Sequence, residues 1–206
     1  LEMSARATDT VSSREDRLVL AAGQFKAGNN TDFSGVGVWN ADSALTSGKP
    51  AAVMTVELPA SRLAVSPTSG GLFILNFDKA KGTLISISSE NLKKWLADAN
   101  RPKRPAETAQ VTFNHGFGEE NDAPLRGAAM IRFSHDGRFV AIAGPGDTPA
   151  KRLYLFDVSK FNGGGMTAED GLVADLPIKD EEELTAVSWS LDNQFLHVLT
   201  NAKSGN

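Results

Sequence analysis

Cysteine is absent from all 206 residues. That excludes disulfides, thiolate nucleophiles and cysteine-ligated zinc within the chain. Histidine is scarce: His115, His135 and His197 lie far apart, and no HExxH pair or other close ligand spacing occurs. No metal centre and no cofactor is therefore expected. An excess of positive charge is missing too, with 21 Lys and Arg against 25 Asp and Glu and a formal net charge of -4. Proteins that hold nucleic acid by neutralising phosphates are usually basic, so no nucleic-acid partner is expected. No apolar run reaches the ~18 residues of a membrane-crossing helix, so no membrane span is expected. Leu1-Glu2-Met3-Ser4 shows no basic region followed by apolar residues. No signal peptide is visible there, and the compartment stays undetermined. The glycine clusters near 144–146 and 163–165 are not followed by Lys-Ser or Lys-Thr, so they read as loops and not as phosphate cradles.

What is present is an ordinary globular balance, 41% hydrophobic and 22% charged, in a chain long enough to bury a core. Within it one pattern returns four times. Residues 130–144 read as a short strand, a Ser134-His135-Asp136-Gly137 turn and a second apolar strand. Asp-Gly supplies the tight conformations that a hairpin needs. Residues 186–199 repeat the shape around Ser190, residues 63–75 around Ser66 and, more loosely, residues 10–23 around Ser12. The four serines are 54, 68 and 56 residues apart. A third strand follows the first three hairpins at 35–40, 82–88 and 152–157, and a fourth at 52–58, 109–113 and 171–176. Each is short, rich in β-branched or aromatic residues and bounded by turn formers. The longest interval contains residues 88–98, which read as a helix capped by Ser88 with Leu92, Trp95 and Leu96 on one side.

Antiparallel units of four strands, repeated along the chain, make the blades of a β-propeller. The expected fold is therefore all-β, with blades at about 5–60, 61–115 and 126–179 and a fourth begun at 183–206. A usual blade takes about 40–50 residues, and the excess is assigned to loops, where added length costs little closure entropy. Propellers close with about four to eight blades. The chain is expected to form part of a ring, completed by further sequence or by a second chain, and two such chains would give seven blades.

Particular residues carry a family resemblance. Val38-Trp39-Asn40 and Leu155-Phe156-Asp157 resemble the third-strand endings of WD40 repeats, where Val-Trp-Asp is common. Ser134-His135-Asp136-Gly137, followed by Arg138-Phe139-Val140-Ala141, resembles the first hairpin of WD40-like and TolB-like propellers. The Gly-His dipeptide that precedes WD40 repeats is missing. The resemblance covers most of the chain and implies propeller architecture. It is nearly silent on activity, since one fold hosts many functions.

Two polar segments are candidate binding sites. His115, Glu119, Asp122 and Arg126 share a Gly-rich loop between the second and third units. They would line a rim site for a ligand or cation, or else form a solvated connection; their acidic spacing does not match an EF-hand. Arg101, Lys103 and Arg104 stand in a proline-stiffened basic run, which would receive an acidic partner or phosphate, or else serve as an exposed linker after the helix. Ser134-His135-Asp136 is read as turn chemistry, because a working triad is assembled from separated positions. Trp39, Trp95 and Trp189 are expected as anchors between blades. Regular strands, long polar connections and no catalytic constellation point to a non-catalytic protein–protein interaction scaffold with a protein partner. The alternatives are an enzyme or enzyme-associated propeller (lactonase-like or peptidase-gating), tested first at His115, Glu119 and Asp122, and a structural subunit of a larger assembly.

Overall fold

A computed structural model describes residues 2–3, 7, 9–13, 16–28, 31–42, 49–56, 60–77, 81–114, 130–143, 152–161, 171–179 and 182–202. Its strands form four antiparallel sheets in chain order, and none closes into a barrel among the described residues. Sheet 1 holds β1 (Glu2–Met3), β2 (Asp9–Ser13), β3 (Leu18–Lys26), β4 (Asp32–Asn40) and β5 (Ala52–Thr55). β1 and β2 lie end to end along one edge of β3, Met3 opposite Phe25 and Ser13 opposite Leu18. The first strand is thus broken in two, and this sheet has five strands where four are expected. Sheet 2 is the meander β6 (Ala60–Val65), β7 (Leu72–Phe77), β8 (Lys81–Ile87) and β9 (Ala109–Asn114), with helix α1 (Ser89–Ala97) between its last two strands. Sheet 3 is the meander β10 (Met130–Phe133), β11 (Phe139–Ala143), β12 (Arg152–Asp157) and β13 (Leu172–Pro177), with a short 3-10 turn at Val158–Lys160. Sheet 4 is the hairpin β14 (Glu182–Trp189) and β15 (Leu196–Ala202).

Side chains alternate between the two faces of a strand, and the middle sheets bury both faces. Leu72, Ile74 and Ile87 turn toward sheet 1 and meet Leu20, Val36 and Met54. Their neighbours Phe73, Leu75 and Leu84 turn the other way and pack with Ile131, Val140 and Phe156 of sheet 3. Ala141, Ala143 and Leu153 face Leu184 and Val187 of sheet 4. This two-sided burial explains why β7 and β11 read as apolar runs and not as alternations. Each such Leu, Ile or Phe contributes roughly 1.5–3 kcal/mol by leaving water. The first strands are neighbours in sequence order: β2 lies against β6, β6 against β10 and β10 against β14. The sheets are therefore stacked face to face with their first strands gathered, a propeller-like arrangement.

The recurring serine closes the first hairpin of every sheet. Ser134 donates its backbone N–H to the carbonyl of Phe139, and Ser190 does the same to Phe195, each at 2.9 Å. Their hydroxyls donate to Asp136 (2.6 Å) and Asp192 (2.5 Å) and accept from the N–H groups of Phe139 and Phe195. The matching pairs in the other sheets are Ser66 with Gly71 and Ser13 with Leu18. Strand register therefore makes Ser13 the counterpart, not Ser12; Ser13 is buried and Ser12 exposed. The acidic partner is displaced as well. Ser13 Oγ donates to Asp16, three residues on, at 3.1 Å. Two turn forms result, with the left-handed residue third after the serine (Gly137, Asn193) or fourth (Arg17, Gly70).

The ends of the third strands are equivalent too. Asn40, Ser88 and Asp157 each cap a helical turn, accepting the N–H of Asp42 (2.9 Å), Asn91 (3.1 Å) and Ser159 (3.0 Å). The Val-Trp-Asn and Leu-Phe-Asp endings thus share a physical role with Ser88 of α1. On α1, Leu92 and Trp95 are buried and Leu96 partly so. The tryptophans do not share one role. Trp95 packs between sheets 1 and 2, and Trp189 stacks on Phe139 of sheet 3 at 5.9 Å. Trp39 instead lies over its own sheet, where a Cβ on Gly37 would meet its ring at 2.6 Å. Trp39 and Phe25 together cover Gly37 on one face of sheet 1.

Candidate functional site

The four hairpin turns touch in succession. Gly70 sits against Asp16, whose carboxylate oxygen would be 3.2 Å from a Cβ at that glycine. Gly137 sits against Ser66 in the same way, also at 3.2 Å. The N–H of His135 donates to Asn193 Oδ1 at 2.6 Å. Between sheets 1 and 2 the contact is ionic as well: Asp16, whose side chain is 3% exposed, accepts from Ser89 Oγ (2.9 Å) and pairs with Lys93 Nζ (2.5 Å). Burial pushes the Asp16 carboxyl up, but hydrogen bonds from Lys93, Ser89 and Ser13 outweigh it and hold the group below the usual aspartate range.

Where the turns gather, the first strands leave an open groove of about 350 Å³. β2 contributes Val11 and Ser12 to it, and β6 contributes Leu63, Ala64 and Val65, followed by Pro67. β10 contributes Ile131, Arg132 and Phe133, followed by Ser134 and His135. Arg132 is exposed, with one guanidinium N–H donating to the Ile131 carbonyl at 2.9 Å. His135 is exposed. Ser134 is fully buried, and its hydroxyl is spent on Asp136 and the Phe139 backbone. That hydrogen bond, with the Arg138 N–H, holds Asp136 below the usual carboxylate range. Ser134-His135-Asp136 is thus a closed turn: serine and aspartate bond to each other, and the Ser134 hydroxyl is not presented to the imidazole. Among the described residues no three His, Asp or Glu side chains gather as a metal site, and no helix is long and apolar enough to cross a membrane.

His115, Glu119, Asp122 and Arg126 lie outside the described residues. Arg101, Lys103 and Arg104 are not at the groove. Their segment is held against sheets 1 and 2. The Lys103 carbonyl accepts the Thr55 N–H at 2.9 Å, Trp95 Nε1 donates to the Pro102 carbonyl at 2.7 Å, and Pro105 is buried. Arg101 covers the Trp95 ring at 5.5 Å, and Arg104 pairs with Glu107 at 3.3 Å. Both guanidinium groups thus work within the fold, and the run is a docked strap. Sequence reasoning missed the groove. Its signal was the recurrence itself, since equivalent first strands in stacked units must line one surface.

No family model matches the chain, and no curated protein matches it in sequence. Among solved structures, Kuenenia stuttgartiensis hydrazine synthase is similar over 95% of this chain and 44% of its own, with a TM-score of 0.60 and 11% identity. A eukaryotic initiation factor is similar over 85% of this chain and 32% of its own, with a TM-score of 0.48 and 10% identity. The chain thus spans less than half the length of each. At 11% identity, the first likeness shows a shared fold.

Proposed function

We propose that the sheets are β-propeller blades and that the chain is a non-catalytic scaffold binding a protein partner at the first-strand groove. One observation carries this reading: three sheets stacked in chain order deliver the ends of their first strands to a single open concavity. A rigid sheet stack presents such a surface without having to move, and loops around it vary without disturbing the core. The polar groups at the groove are set for recognition. Ser134 and Asp136 are consumed by the turn, whereas Ser12, Arg132 and His135 face solvent. Leu191, Phe195 and Leu199 are exposed on sheet 4, an apolar surface that supports a ring larger than these four sheets.

Filling the groove tests the reading. Ser12→Trp places a ring in the concavity from an exposed position and leaves the core intact. Proteins captured from native extract by the wild-type chain should be lost on the Ser12→Trp chain and kept on a control substituted at exposed Lys103. Equal capture by all three chains would refute a partner site at the groove.

A further inference from the structure

We infer that the groove takes an acidic peptide, holding a carboxylate at Arg132 while neighbouring apolar side chains lie on the strand walls. The inference rests on the groove being the partner site and names the chemistry of what enters it. The charge of the groove is the first argument. The chain as a whole is negative, at -4, yet among the described residues no carboxylate lines this concavity, and the ionic side chain there is the Arg132 guanidinium, with the His135 imidazole beside it. A guanidinium presents five N–H donors in a fixed fork. One of Arg132's is bonded to the Ile131 carbonyl, and the exposed group retains donors for a carboxylate.

The second argument is how these inner strands already treat a carboxylate. Asp9 of β2 reaches across to β6, where the Leu63 N–H donates to its Oδ2 at 2.7 Å. The inner edge of a first strand, facing away from its own sheet, thus binds a carboxylate through the backbone donor of Leu63, itself a residue of the groove wall. The third argument is the wall. Val11, Val65 and Phe133 precede the turn in β2, β6 and β10 and lie partly exposed. They give an extended segment apolar seats next to the cation, and Ser12 adds a hydroxyl. A peptide alternating acidic and apolar residues fits this pattern, because its side chains also alternate.

Fluorescence anisotropy with labelled octapeptides tests the inference. The probes are alternating Val-Glu, Val-Gln and Val-Lys sequences. The wild-type chain should bind Val-Glu at least tenfold more tightly than Val-Gln, with Val-Lys weakest, and binding should weaken as salt rises. Arg132→Gln should cut Val-Glu affinity about tenfold, the loss of a charged hydrogen bond, and leave Val-Gln unchanged. Arg132→Lys should restore part of it. Arg132 is exposed, so circular dichroism and the unfolding midpoint should not move. Equal affinity for Val-Glu and Val-Gln would overturn the charge assignment while leaving a peptide groove in place. If no peptide binds and the Ser12→Trp chain still captures every partner, the groove reading falls with it. Complete competition by millimolar inorganic phosphate would also overturn the inference, since the site would then recognise an anion and not a peptide.

Discussion

Replacing Asp157 separates two jobs that one carboxylate performs. It ends β12, is 6% exposed, and accepts from the Ser159 N–H (3.0 Å), the Ser159 hydroxyl (2.6 Å) and the Arg138 guanidinium (3.3 Å). Loss of the cap alone is worth about 1 kcal/mol. The hydroxyl contact adds about another 1 kcal/mol. The ion pair adds little, because Arg138 is 59% exposed and water screens it. Asp157→Ala should therefore cost about 2 kcal/mol. Asp157→Asn keeps an oxygen for the cap, as Asn40 does at the same place in sheet 1, and should cost less than about 1 kcal/mol. Urea unfolding followed by tryptophan fluorescence reads the difference. With a slope of about 2 kcal/mol per molar, Asp157→Ala shifts the midpoint down by about 1 M. Burial raises the Asp157 carboxyl, but hydrogen bonds from Ser159 and Arg138 bring it net below its ordinary value. Its contribution is thus complete above an unfolded-state pKa of about 3.9 and is lost as pH falls through the lower folded value. The deficit of Asp157→Ala should shrink in that acid window. A deficit equally large in Asp157→Asn and Asp157→Ala would refute the shared cap and put the charge in its place.

Two further substitutions probe packing between sheets. A Cβ on Gly82 would run into the Phe113 ring, which is wedged against Tyr154 (4.7 Å) and Phe156 (5.6 Å). Gly82→Ala should cost roughly 1–3 kcal/mol by overpacking. Gly37→Ala under Trp39 should cost less, because that ring is half-buried whereas Phe113 is buried between sheets 2 and 3; thermal unfolding of the pair checks the order. Asp16→Asn removes the carboxylate that joins the sheet 1 turn to α1. It should destabilise the chain at neutral pH and converge on wild type as pH falls through the depressed Asp16 value, measured by urea midpoints across pH.

Local patterns carried the fold into the sequence, and long-range geometry did not. The Asp136-Gly137 and Asp192-Asn193 turns were legible because a left-handed residue follows an acceptor at a fixed spacing. The strand at 152–157 and the Ser88 cap were legible for the same kind of reason. The first copy was misread by one residue, since its turn places Asp16 three residues after the serine and uses Arg17 as the left-handed residue. The run after Asp98 read as either a basic partner site or an exposed linker, because nothing in Arg101-Pro102-Lys103 announces a carbonyl that pairs with Thr55, 48 residues earlier. The groove was hidden for a similar reason. Ser12, Val65 and Arg132 become neighbours only through stacking of three units, and none is unusual in its own strand.

The absence of cysteine gives a direct test of that stacking, because labels placed at Ser12→Cys, Pro67→Cys, His135→Cys and Leu191→Cys meet no background thiol. All four positions are exposed at or beside the first hairpin of successive sheets. Pulsed electron paramagnetic resonance on label pairs should give short, similar distances for 12–67, 67–135 and 135–191, with 12–135 and 67–191 distinctly longer. A 12–135 distance shorter than 12–67, or no difference between adjacent and separated pairs, would show that the sheets are not stacked in chain order around their first strands.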